Sequence, residues 1–254
     1  MSDKWDYYPC TMGEHPASIF LDLGVKDQIE NAPTNLVRLQ LHYKNVHENG
    51  LPRSDEFEPV KTAEDQLQAF AEGENSWYVG RITVEGCRYF YIYSECDAHR
   101  WEAFAEKLSR QSGYLIEVDF RDDPQHEAYW DELYPTEDDW QVIKDLRVIE
   151  QLKKHGDNGS AARKVDHWCY FPSKIASNPF IVWAMEQDYK YDSELSGPSK
   201  DGKHCVKLSH TGSVILADIT HHTISLRRKA SEHGGDYDGW ETQVLSENTA
   251  TAQQ

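Results

Sequence analysis

The sequence predicts an α+β protein of two domains, and three observations lead there. Residues 36–120 run strand, helix, strand, strand, helix, strand. The second half, up to residue 245, runs through the same order again with one helix in front. That order is the split β-α-β unit of ferredoxin-like folds, so two ferredoxin-like (βαββαβ) domains in tandem are expected. The third observation is length: 254 residues suit two domains of ordinary size. The expected division is 1–135, with extra N-terminal strands, then 136–245, with a leading helix, then a polar tail, 246–254. The tail lacks an apolar face and is expected to fray.

Element by element, Trp5–Cys10 and Ala17–Leu23 read as two short strands joined through Gly13 and Pro16. Val37, Leu39, Leu41 and Tyr43 alternate with Arg38, Gln40 and His42, the period of a half-buried strand. Phe57, Val60, Leu67, Phe70 and Ala71 mark a helix face, with Gly73 as its stop. Trp77–Val84 and Cys87–Ser94 flank the two-residue turn Glu85-Gly86. Asp97 caps a helix whose stripe is Trp101, Phe104, Ala105 and Leu108, and Gly113 ends it. Tyr114–Phe120 is a strand, Asp122-Asp123-Pro124 breaks it, and His126–Leu133 is a short helix.

In the second half, Thr136 and Asp139 form a variant capping box for a helix over 137–154. Its apolar face is Val142, Ile143, Leu146, Ile149 and Leu152. Ala161–Phe171 is a strand. Asn178 and Pro179 suit the cap and first residue of the next helix. Tyr191–Leu195 and His204–His210 are strands around a polar loop. A helix carrying Ile215, Ile219, Leu226 and Ala230 follows and stops at Gly234. Tyr237-Asp238-Gly239-Trp240-Glu241 is the entry to the last strand, a short one over Thr242–Leu245. A glycine inside a strand loses stability and marks a bulge or a close backbone approach. Trp240 is expected to be core, which leaves Asp236, Asp238 and Glu241 as the exposed groups.

Composition narrows the function. Eight Trp and fourteen Tyr supply cores. No apolar run nears the roughly 20 residues of a membrane span, and no basic segment leads into an apolar one as in a signal peptide. The five cysteines are scattered without a C-x-x-C pair, which reads as reduced thiols in the cytoplasm. The net charge is −18, with 26 acids against 12 bases in residues 1–135. Such a surface repels phosphate backbones, so direct nucleic-acid binding is not expected; it favours a basic protein segment. The aromatic strand Tyr89–Tyr93 resembles the base-stacking strand of RNA-recognition domains, but that motif opens on a basic residue and glycine where this sequence has the acidic Glu85 before Gly86.

No G-x-S-x-G elbow or phosphate-binding glycine loop is present, and no enzyme signature or cofactor is expected. Asp122-Asp123 and Asp138-Asp139 are adjacent pairs whose side chains point apart. His167 with Cys169, His204, Cys205 and His210, and His221 with His222 lack the paired close spacings of a zinc site. The alternative to a binding protein is an enzyme or metal protein with a site between the domains, for which His167, His204 and His221 would have to line one polar cleft.

Two family resemblances sharpen these expectations. Glu64–Leu67, Tyr78–Thr83, Gly86, Arg88–Tyr93, Asp122-Asp123-Pro124 and Leu133-Tyr134-Pro135 make the first half resemble the domain of unknown function 695 family, which implies a small α+β domain of bacterial proteins without assigned chemistry. Gly156-Asp157, Asp166-His167-Trp168, Phe180 and Tyr237–Thr242 make residues 138–245 similar to the regulator of ribonuclease E activity B (RraB) family. That resemblance implies a non-catalytic module that binds the scaffold region of ribonuclease E and lowers its activity on transcripts. The residues expected to bind are Tyr237, Asp238, Trp240 and Glu241, with Asp166 and Asp157 added.

Overall fold

The computed structural model of the chain describes residues 2 and 4–245; the tail expected at 246–254 lies outside them. The chain is mixed α+β, with two antiparallel sheets, and divides into two compact units at Asp139/Trp140.

The first unit contains β1 (Trp5–Met12), β2 (His15–Asp22), β3 (Asn35–His42), α1 (Phe57–Gly73), β4 (Trp77–Val84), β5 (Cys87–Tyr93), α2 (Ala98–Ser112) and β6 (Leu115–Asp122). Its sheet order is β1-β2-β4-β5-β3-β6. The two leading strands extend the sheet at the β4 edge, pairing Phe20 with Arg81 and Ser18 with Thr83. Helix α2 forms where the sequence places it. The Asp97 carboxylate accepts from the Arg100 amide at 3.1 Å, and Gly113 closes the helix in the left-handed region at φ 70°. On one sheet face Val37, Leu39, Leu41, Phe90 and Ile92 pack with Leu67 of α1 and Trp101 of α2.

The other face is covered by a π-helical turn, Ala128–Leu133, where the sequence suggested a short helix. Tyr91 and Tyr93 are buried on this side, their hydroxyls donating to Glu132 (2.6 Å) and Asp123 (2.7 Å). Asp123 also accepts from the amides of Glu127 and Ala128, so the residue that breaks β6 starts the turn. These tyrosines are interior packing and not a base-stacking platform. A bulge at Val79 shifts the β4–β5 register between Tyr78 and Gly80, which brings Tyr78 and Arg81 to the same sheet face.

The second unit contains all but the first three residues of α3 (Glu137–Lys154), then β7 (Arg163–Phe171), α4 (Lys174–Glu186), β8 (Lys190–Pro198), β9 (His204–Gly212), α5 (Leu216–Glu232) and β10 (Asp236–Thr242), with sheet order β10-β7-β9-β8. The capping box of α3 is reciprocal: the Thr136 amide donates to Asp139 (3.0 Å) and the Asp139 amide to Thr136 Oγ1 (3.3 Å). The buried face of α3 differs from the apolar pattern. Gln141 and Asp145 are interior with Ile143, Ile149 and Leu152, while Val142 and Leu146 are only half-buried.

Helix α4 starts earlier than Asn178. Ser173 is its cap, accepting from the Ala176 amide at 3.2 Å, and Pro179 lies inside the helix. A proline there cannot donate to the carbonyl four residues back. That carbonyl belongs to Ile175, a residue 82% exposed, so water can satisfy it. The last strand runs earlier than the Thr242–Leu245 read from the sequence, because its pairing with β7 begins at Asp236 opposite Tyr170 and ends at Thr242 opposite Val165. At the end of α5 the two glycines have separate reasons. Gly234 takes the left-handed conformation (φ 69°), and a Cβ on Gly235 would lie 2.4 Å from the Phe171 ring.

Candidate functional site

Pairing of β10 with β7 brings the two sequence motifs of the second unit together. Glu241 lies opposite Asp166, Trp240 opposite His167, Gly239 opposite Trp168 and Asp236 opposite Tyr170. Side chains alternate between faces, so one row faces the helices and the other the far side. The register shifts between Tyr237 and Gly239, which places Asp238 in a bulge. Of the two reasons for a strand glycine, the structure therefore shows the bulge; a Cβ at Gly239 would meet nothing within 4 Å.

The six residues read from the sequence fall into two sets. Tyr237 and Trp240 are buried on the helix side. The Trp240 indole N–H donates to Asp145 Oδ1 at 2.9 Å, and Asp145, fully buried, also accepts from Gln141 and Thr223. Burial pushes the Asp145 carboxyl up, against these three hydrogen bonds. Asp157 is buried in a two-bond ion pair with Arg163 and accepts from the amides of Gly159 and Leu245. Arg163 outweighs burial and holds the Asp157 carboxyl down at about 2.

Asp166, Asp238 and Glu241 form the outward set. Asp166 is half-buried between Lys164 (2.8 Å) and Lys207 (3.1 Å); burial raises its pKa, but the two lysines together leave it lowered. The Lys207 ammonium sits 4.9 Å from the Trp168 ring centroid. Asp238 and Glu241 are exposed. Asp238 and Asp236 line a hollow of about 700 Å³ with Tyr170, Lys203 and Asp201. This face mixes aromatic rings with both charge signs. Trp168, Tyr170 and Lys207 belong to it; strand alternation puts Trp168 and Tyr170 on one face, and Lys207 carried no signal of its own.

The histidines do not line one cleft. His167 is fully buried and His221 is exposed. His167 instead stacks on His210, and His210 on His222, with ring centroids 5.0 and 3.7 Å apart. His167 Nε2 lies 2.8 Å from His210 Nδ1, its Nδ1 lies 2.8 Å from the Tyr237 hydroxyl, and the Tyr189 hydroxyl lies 2.7 Å from His222 Nδ1. One consistent proton arrangement has Tyr237 donating to His167 and His167 donating to His210. Among the described residues, no group of three or more His, Cys, Asp or Glu is placed to hold a metal ion.

Burial, then the neighbouring imidazoles, pushes His167 well below the ordinary value and His210 to about 4; burial lowers His222 as well. In the unfolded chain these groups take protons near pH 6.5. Stability is therefore full above about pH 6.5 and falls as pH drops toward 4, because the unfolded state binds more protons there. The midpoint of thermal unfolding of the second unit should decline over that window, and His210→Gln should flatten the decline. An unchanged midpoint between pH 7 and 4.5 would rule out this cost.

The fold and site define a two-unit α+β protein whose second unit presents a polar, aromatic sheet face. Residues 3–134, more than half of the sequence, match the model of the family of unknown function DUF695, and the chain belongs to that family. Residues 143–242 match the model of the regulator of ribonuclease activity B family. No curated protein matches the chain. Among solved structures, an unknown protein from Galdieria sulphuraria is 9% identical, over 83% of this chain and 99% of that one, with a TM-score of 0.22. A putative glycine cleavage system transcriptional repressor is 10% identical, over 82% and 98%, with a TM-score of 0.23. Scores this low leave both without bearing on the fold.

Proposed function

We propose that the chain is a non-catalytic, protein-binding regulator of ribonuclease activity, working in the cytoplasm through its second unit. The observation that carries this is the match of residues 143–242 to the regulator family. The surface that would meet the partner is the β7–β10 face, with Asp238 and Glu241 as outward carboxylates, Asp166 beside them, and Tyr237, Trp240 and Asp157 holding the strand and loop behind them. The partner would be a basic protein segment, such as the scaffold region of ribonuclease E. The domain layout 1–135 and 136–245, each ferredoxin-like in wiring, accompanies this reading; the strand orders β6-β3-β5-β4 and β10-β7-β9-β8 support it.

The test is calorimetric titration of the full chain with the ribonuclease E scaffold segment at low ionic strength, where charge attraction is strongest. Asp238→Asn and Glu241→Gln should each weaken binding by up to roughly fivefold, the ratio that about 1 kcal/mol makes for an exposed ion pair. Absence of heat and of co-purification at low salt would reject this partner.

A further inference from the structure

The two leading strands of the first unit widen its sheet beyond the strip packed under α1 and α2. Part of the helix-side face of β1, β2 and β4 consequently forms the floor of a cavity of about 430 Å³. The rows across that floor follow from the register. Tyr7 lies beside Phe20 and Phe20 beside Arg81, and Ser18 lies beside Thr83, itself opposite Arg88. Pro52 and Phe57, ahead of and at the start of α1, contribute to the lining. The aromatic lining is open to water: Tyr7 is 47% and Phe57 56% exposed.

The charge on this floor does not balance. Arg81 and Arg88 both pair with one carboxylate, Glu64 of α1: Arg81 Nη1 with Oε1, and Arg88 Nη1 with Oε2 at 3.1 Å. The Tyr78 hydroxyl donates to the same Oε1 at 2.7 Å. Two guanidinium groups face one carboxylate, and among the described residues the cavity lining contains no Asp or Glu. Both arginines are largely withdrawn from water, with side chains 23% and 12% exposed. A partly desolvated excess cation is costly unless an anion meets it. The surplus is one charge, in a chain whose net charge of −18 repels polyanions at longer range. Guanidinium forks match a planar carboxylate. The Phe20 ring, 4.3 Å from the Arg81 guanidinium carbon, and the rings of Tyr7 and Phe57 suit an apolar body. The volume is that of a small-molecule site.

We propose that this cavity binds a small organic monocarboxylate with an aromatic or apolar body, its carboxylate against Arg81 and Arg88 and its body along Phe20, Tyr7 and Phe57. The bulge at Val79 is part of the site, because it turns Arg81 to the face that Tyr78 and Glu64 share. This role is independent of the ribonuclease reading and concerns the other unit.

The test is amide-resolved NMR titration of the full chain with phenylacetate, phenylacetamide and phenyl phosphate. Phenylacetate should give saturable shifts over Ser18–Phe20 and Arg81–Thr83. The neutral amide should bind at least roughly tenfold more weakly, the ratio of about 1.4 kcal/mol, and the dianion should not exceed the carboxylate. Phe57→Asp places a like charge at the exposed lining without touching the core, and should abolish the shifts while leaving the thermal midpoint intact. Tyr7→Ala should weaken them without loss of fold. Equal affinity for acid and amide, tighter binding of phenyl phosphate, shifts confined to other residues, no shifts at all, or wild-type binding by Phe57→Asp would each overturn the proposal.

Discussion

Trp240→Ala is expected to lower the stability of the second unit by about 3–5 kcal/mol, the usual cost of deleting a buried aromatic ring. The ring is 8% exposed and packs with Val165, Ile149 and Ile219, at the junction of β7, α3 and α5. Its loss also removes one of three donors from Asp145, a fully buried carboxylate. Domain stabilities are typically about 5–15 kcal/mol, so the variant would lose a large share of the total. Trp240→Phe separates the two contributions: it keeps an aromatic ring and should cost about 1–3 kcal/mol for the unmet hydrogen bond. Urea unfolding of both variants measures this. A midpoint for Trp240→Ala within error of wild type would show that the ring is not core, and partner binding lost at unchanged stability would make it an anchor instead.

Arg163→Ala should have an effect of similar size. It leaves Asp157 as a buried carboxylate without its counter-charge, and breaking such a pair costs about 3–5 kcal/mol. The damage reaches further than one pair. Arg163 also donates to the carbonyls of Ala161 and Gln243, and Asp157 accepts from Leu245, so the pair fastens the loop after α3 to the segment following β10. The pH signature differs from that of the histidines. The Asp157 carboxyl is depressed to about 2 against about 3.9 when unfolded. Its contribution is present above pH 4 and is lost as pH falls through 2. Acid unfolding of the wild type should therefore show one loss between about pH 6.5 and 4, from the imidazole cluster, and a second below 4. Asp157→Asn should shrink the second, to which Asp166 also contributes, while leaving the first. Chemical denaturation at a series of pH values resolves the two; a single loss that Asp157→Asn leaves untouched would contradict the assignment.

Much of the fold was legible because alternation and caps are local signals. The strand over Val37, Leu39 and Leu41, the cap at Asp97 and the stop at Gly113 need only neighbouring residues to be read. Helix α4 was misread for an equally local reason. Asn178-Pro179 has the form of a helix start, and nothing nearby in the sequence says that the carbonyl of Ile175 is free to face water. Asp145 and Gln141 were invisible as core because polar residues at helical spacing look like a solvent face. Their burial is explained by Thr223 and Trp240, which lie 78 and 95 residues further along the chain. The candidate site shows the same limit. Asp238 and Glu241 could be expected to be exposed, but that Glu241 stands opposite Asp166 depends on the bulge at Asp238, and that Lys207 balances Asp166 depends on the pairing of β7 with β9. The arginines of the cavity in the first unit lie within the stretches Tyr78–Thr83 and Arg88–Tyr93, but nothing in those stretches announces a cavity, since it arises where added strands outrun the helices.

The bulge in β10 has one more consequence. This strand is an outer edge of its sheet, and a regular outer edge offers backbone groups to any other chain that can zip onto it. Here the ladder is interrupted between Tyr237 and Gly239, and the interruption carries an exposed carboxylate at Asp238. The opposite edge, β8, is interrupted between Asp192 and Gly197. Both borders of the sheet are thus irregular, which hinders edge-to-edge pairing of one copy with another.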